Sequence, residues 1–147
     1  MPVILLVENK DADVLLFHRA LKRLLFEGTV HVAPSINVAQ EYMEGRGDYA
    51  DRSYYRIPNL IVAEIDLPGE SGTVLWEWLR QRPQYSHIPF VFFSSTLAPE
   101  RLWSRPGGVQ PHHFAKTADV VEFKNRVEAI LKLLPKAGNS PGSPKLR

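Results

Sequence analysis

The sequence predicts one α/β domain built on a doubly wound, five-stranded parallel sheet with strands in the order 2-1-3-4-5. Three observations carry this reading. Short stretches of strand character recur at residues 3–7, 29–33, 60–63, 89–93 and 112–115, apolar most clearly in the first, third and fourth. Stretches with helical apolar spacing separate most of them, which requires crossovers and therefore parallel strands. A chain of 147 residues with 44% hydrophobic content is long enough to bury a single core.

Residues 3–7 are continuously apolar, the pattern of a strand covered on both faces, and the run stops at Glu8-Asn9-Lys10. Asp11 is placed to cap a helix running to about Phe26, with Val14, Phe17, Leu21, Leu24 and Leu25 at helical spacing and Gly28 as its exit. Residues 29–33 form the second strand, and Ser35 or Asn37 starts a helix through about Met43. A long polar and aromatic connection, 45–58, holds Asp48, Tyr49, Asp51, Arg52, Tyr54 and Tyr55. The third run, 60–63, ends at Glu64. Pro68-Gly69 and Gly72 form a turn, and Leu75, Trp76 and Leu79 mark the apolar side of a helix over 73–80. Strands over 89–93 and 112–115 follow, with a short helix at most over 99–103 between them. Val121, Phe123, Val127, Ile130, Leu131 and Leu134 give the closing helix over 118–134. The folded domain is thus expected over 1–134, and this topology is flavodoxin-like.

The chain has no cysteine, which excludes disulfides and thiolate chemistry. It has neither a signal-peptide pattern at its start nor an apolar run of membrane-spanning length, so a cytoplasmic location is expected. The net charge of +2 comes from the end of the chain: residues 135–147 hold Lys136, Lys145 and Arg147 and no acid. Removing those three leaves 15 basic against 16 acidic residues, a body of −1. The basic character therefore belongs to a Pro/Gly/Ser-containing tail expected to be disordered, and nucleic acid is not an expected partner.

In a sheet of this kind the reactive site lies beyond the carboxyl ends of the strands. Those ends carry Glu8 and Asn9, then Glu64, then Ser94, then Lys116. Carboxylates and carbonyls are ligands for a hard cation such as Mg²⁺. A hydroxyl and an ammonium suit phosphoryl oxygens. Any one of these residues at a strand end is ordinary; four together at one edge point to a site. His112 and His113, being neighbours in a strand, point to opposite faces and cannot readily share a metal. Trp76, Trp78 and Trp103 are candidate partner anchors, with Trp76 and Trp78 directed differently by helical phase.

These residues resemble the receiver domains of bacterial response regulators. The likeness covers about residues 3–134 and rests on Val3-Ile4-Leu5-Leu6-Val7-Glu8-Asn9, on Pro58-Asn59-Leu60-Ile61-Val62-Ala63-Glu64-Ile65-Asp66-Leu67-Pro68-Gly69-Glu70-Ser71-Gly72, on Ile88-Pro89 leading to Ser94-Ser95, and on Phe114-Ala115-Lys116. The segment Gly47-Asp48-Tyr49-Ala50-Asp51-Arg52 is also similar to single-domain regulators paired with phytochrome-type kinases. The resemblance implies a CheY-like fold in which an aspartate after the third strand takes a phosphoryl group with Mg²⁺ bound. It places Glu64 at that acceptor position and Glu8 with Asn9 at the acidic pair. Asp66 would supply a carbonyl, or a compensating carboxylate, to the metal. Ser94 and Lys116 match the residues that contact the phosphoryl group, and His113 matches the switch position. Thr117 stands where the family usually has proline.

The departures shape the functional expectation. The extra methylene of Glu64 moves the attacking oxygen outward, and small misplacements of a reacting atom cost about a hundredfold in rate. Asn9 removes a negative charge and weakens attraction for Mg²⁺. The leading expectation is a stand-alone two-component signalling module, a pseudo-receiver not phosphorylated at Glu64, with no enzymatic activity of its own. It would act through contact with a sensor histidine kinase or another signalling protein. The resemblance also implies homodimerisation through the face of the fourth helix, fifth strand and fifth helix, at about residues 99–132 with Trp103 and His113. Within that expectation Glu64 either reaches Lys116 or Ser94 and partly mimics a phosphoryl charge, or marks an inactive site. The alternatives are a conventional Mg²⁺-dependent phospho-accepting regulator and a small Mg²⁺-dependent phosphohydrolase using Glu64 and Asp66.

Overall fold

The computed structural model describes residues 1–96 and 111–136. Its main sheet contains β1 (Val3–Val7), β2 (Thr29–Ala33), β3 (Leu60–Ala63), β6 (Phe90–Ser94) and β7 (His112–Ala115). All neighbouring pairs are parallel and the order is β2-β1-β3-β6-β7. This is the predicted topology, the numbers shifted by a small antiparallel hairpin, β4 (Asp66–Leu67) and β5 (Glu70–Ser71). That hairpin occupies the turn expected around Pro68-Gly69, and Gly69 sits at φ +77°, where a side chain would be strained.

Among the described residues four α-helices cover the sheet: α1 (Asp11–Arg23), α2 (Ile36–Glu44), α3 (Gly72–Arg80) and α4 (Val120–Leu131). Alternation along the strands divides the core into two layers. Leu5, Val7, Ile61, Ala63, Phe90 and Phe92 meet Ile36, Tyr42 and Met43 of α2 and Leu75, Trp76 and Leu79 of α3. Ile4, Leu6, Leu60, Val62, Val91 and Phe93 meet Phe17, Ala20 and Leu21 of α1 and Phe123, Val127 and Ile130 of α4. Burial of each such large apolar side chain contributes about 1.5 to 3 kcal/mol relative to exposure. Trp76 therefore belongs to the core; Trp78 is half-buried and stacks on Tyr85, with Arg82 4.0 Å over its ring.

The helix ends depart from the sequence reading in instructive ways. Asp11 lies inside α1, whose N-cap is Lys10 with no side-chain bond, so Asp11 and Asp13 act as first-turn acids. The helix leaves at Leu25, not at Gly28: Leu25 adopts φ +55°, the Phe26 N–H donates to the Leu21 carbonyl and the Leu25 N–H to that of Lys22. This is the bond pattern of a Schellman turn with leucine where glycine is preferred. Ser35 caps α2 through the Val38 N–H, and Asp119 caps α4 through the Glu122 N–H.

The connection over 45–58 is packed rather than extended. Arg52 donates to the carbonyls of Tyr42, Met43 and Tyr49, closing the carboxyl end of α2, where a cation is favoured. Tyr42, Tyr49 and Tyr55 pack edge to face or tilted, and the rings of Tyr42, Tyr54 and Tyr55 enclose His31 on β2 at 5.1–5.5 Å. This aromatic cluster packs against the outermost described strand, a position that native sheets commonly protect. The short helix expected over 99–103, Trp103 and the tail from residue 137 lie outside the described residues.

Candidate functional site

Register brings the strand ends together. Val7 is level with Ala33 on one side and Ala63 on the other, so the next residues, Glu8 and Glu64, emerge side by side. The Glu64 N–H donates to the Val7 carbonyl at 2.9 Å and continues the ladder. On the far side Ser94 is level with Ala115, and the Lys116 N–H donates to the Ser94 carbonyl at 3.1 Å.

Glu8 and Glu64 are 3% and 2% exposed. Each carboxylate turns back on its own chain. Oε2 of Glu8 accepts from the N–H groups of Asn9 and Lys10 at 3.0 and 3.2 Å, and Oε2 of Glu64 accepts from those of Ile65 and Asp66 at 2.6 and 3.2 Å. Consecutive backbone donors of this kind replace the water that burial removes. The second oxygen of each acid faces Lys116, whose ammonium donates to Oε1 of Glu8 and, at 2.9 Å, to Oε1 of Glu64. A third bond runs at 2.9 Å to Oδ2 of Asp13, in the first turn of α1. An ammonium has three donors, and here all three are used. Burial by itself would lower the pKa of Lys116, but its bonds to Glu8, Asp13 and Glu64 outweigh that and raise it well above the ordinary lysine value.

The glycine at the start of α3 is part of this arrangement. A Cβ on Gly72 would stand 2.1 Å from the Glu64 carbonyl oxygen, and the Gly72 N–H donates to the Ile65 carbonyl at 2.7 Å. The helix therefore closes directly onto the turn that aims Glu64.

Other expected site residues stand outside the cluster. Asn9 is exposed and contributes its backbone N–H alone. Asp66 is exposed and lines an open cleft of about 540 Å³ with Gly69, Glu70 and Thr96. Ser94 is fully buried, and its Oγ accepts from the Thr96 N–H at 3.0 Å; among the described residues it makes no bond to Glu64. The ring Nε2 of His113 lies 3.1 Å from the Thr96 carbonyl oxygen. Of the two contacts open to Glu64 from sequence, it makes the one to Lys116. Asp13 is a site residue that the strand-end rule does not reach, because it lies in the first turn of α1. Its signal was an acid one turn beyond Asn9, on the helix that follows.

The carboxylates meet through the Lys116 ammonium, the Asn9 and Asp66 side chains stay outside, and no three His, Asp or Glu side chains among the described residues are grouped to hold a metal. No described helix is long and apolar enough to cross a membrane.

No protein-family model matches the chain. The chain is 28% identical to the response regulator Rcp1 of Synechocystis sp. over 94 residues, which is 64% of this chain and 62% of that protein. Its fold matches the phosphorylated cyanobacterial phytochrome response regulator RcpA with a TM-score of 0.80 at 22% identity, over 96% of this chain and 99% of that one. It matches the bacteriophytochrome response regulator RtBRR with a TM-score of 0.74 at 26% identity, over 97% of this chain and 86% of that one. Rcp1, RcpA and RtBRR are response regulators, and the five-stranded sheet of this chain belongs to the fold it shares with RcpA and RtBRR.

Proposed function

We propose that this chain, a receiver domain similar in sequence and fold to response regulators, is a two-component signalling module whose site is closed by its own lysine and does not take a phosphoryl group at Glu64. The single observation that supports this most is the saturation of Lys116 by Glu8, Asp13 and Glu64. In a phospho-accepting site a lysine at this place would have to offer a donor to the incoming phosphoryl oxygens, and here none is left over. Oε2 of Glu64 is held by two backbone N–H groups and Oε1 by the ammonium, so neither oxygen is presented outward as a nucleophile.

On this reading Glu64 keeps a carboxylate at the acceptor position, held by Lys116. Output comes from contact with a partner protein, a sensor histidine kinase or another signalling protein. The test is gain of function. The paired change Glu64→Asp and Asn9→Asp shortens the acceptor and restores an acid beside Glu8. Incubated with Mg²⁺ and acetyl phosphate, the double variant is expected to gain one phosphoryl group by intact mass. A double variant that folds and stays unlabelled would show that the defect lies elsewhere than in these two residues.

A further inference from the structure

The residue after Glu8 is the uncharged Asn9, yet Lys116 is ringed by three carboxylates, and the third comes from a different element. We propose that Asp13 is a positioning residue that replaces the charge absent at Asn9 and latches Lys116 in its closed arrangement, tying the start of α1 to the site. The inference rests on the closed-site reading given above and names the residue that keeps the site closed.

Geometry distinguishes Asp13 from its two companions. Glu8 and Glu64 are almost fully buried and each has two backbone N–H groups fixing one oxygen, so their carboxylates are held whether or not the lysine is present. The Asp13 side chain is 23% exposed, and Lys116 is the side-chain partner it has. It is therefore the contact that can be released into water at least cost. Asn9, exposed and uncharged, cannot substitute for it.

Asp13 is also fixed in direction by its helix. Its N–H bonds the Lys10 carbonyl at 3.1 Å, and one turn later Phe17 anchors α1 in the core against Phe93. Lys116 in turn precedes Asp119, the cap of α4. The Asp13–Lys116 bond thus joins the beginnings of the two helices that share one face of the sheet. Release of that bond frees one N–H of Lys116 while Glu8 and Glu64 still hold the other two, leaving a donor for an anion.

Asp13→Asn removes the charge and leaves the length unchanged, and Asp13→Glu restores the charge. Two readouts follow Lys116 itself. By NMR, the ammonium protons of Lys116 are expected to exchange with water at least tenfold faster in Asp13→Asn than in the wild type, and to be slowed again in Asp13→Glu. Titrated with inorganic phosphate, Asp13→Asn is expected to shift the Lys116 side-chain signals, and the wild type to leave them in place. Circular dichroism checks that each variant is folded. Folded Asp13→Asn with wild-type exchange and no phosphate response would overturn the assignment. Phosphoryl labelling of the wild type would overturn the closed-site reading alone, since the exchange and titration results do not depend on it.

Discussion

Replacing Lys116 with methionine tests how much the ion cluster contributes. The change keeps an unbranched side chain and removes the positive charge that, among the described residues, bridges Glu8, Asp13 and Glu64. Three carboxylates then remain, two of them buried at 3% and 1% side-chain exposure. Removing one partner of a buried ion pair costs about 3 to 5 kcal/mol, because the remaining charge is stranded. Two factors limit the loss here: backbone N–H groups still bind one oxygen of each buried glutamate, and Asp13 can turn to water. The expected loss is therefore about 3 kcal/mol at pH 7, a large share of a typical domain's stability of about 5 to 15 kcal/mol. Urea denaturation followed by circular dichroism measures it. In the wild type the raised pKa of Lys116 means its contribution is complete below the ordinary value of 10.5 and is lost only as pH rises through the higher folded value. A loss below about 1 kcal/mol, the range of an exposed pair, would refute the reasoning.

Three further outcomes follow from particular contacts. Gly72→Ala places a methyl against the Glu64 carbonyl and should destabilise by about 1 to 3 kcal/mol, read from the thermal midpoint, whereas a neutral result would mean that α3 does not close on the Glu64 turn. Leu25→Gly should stabilise by up to about 1 kcal/mol in urea, since leucine at φ +55° is strained and the residue is 83% exposed; a loss of stability would show that Leu25 packs in solution. Burial lowers the pKa of His31 below 6.5, so the folded state resists its protonation, and stability should fall as pH drops from about 6.5 toward the lower folded value. His31→Phe should flatten that part of the stability–pH curve, and an unchanged slope would rule His31 out as its source.

Much of the fold was legible because the central strands β1, β3 and β6, buried on both faces, read as apolar runs, and the runs at 3–7, 60–63 and 89–93 lead into Glu8, Glu64 and Ser94. Alternation of strands with helices then implied parallel pairing, and the flavodoxin-like doubly wound architecture the order 2-1-3-4-5. The α1 exit was not legible: the conspicuous signal was Gly28, while the left-handed turn is made by Leu25 through its bonds to the preceding carbonyls. The two-residue strands around Gly69 are too short to carry a periodic pattern. Glu8, Glu64 and Lys116 could be placed because each directly follows a strand. Asp13 could not, since a first-turn acid is ordinary at any helix start and only the tertiary packing of α1 brings it to Lys116. The role of Arg52 was hidden for the same reason, as its bonds to Tyr42, Met43 and Tyr49 depend on how the connection folds back.

The central claim is that Lys116 closes this site and that Glu64 does not accept a phosphoryl group. The most direct measurement is the intact mass of the wild-type protein after incubation with Mg²⁺ and acetyl phosphate. The unmodified mass is predicted at every time point. A phosphoryl adduct that persists in the wild type and is lost in Glu64→Gln would contradict it.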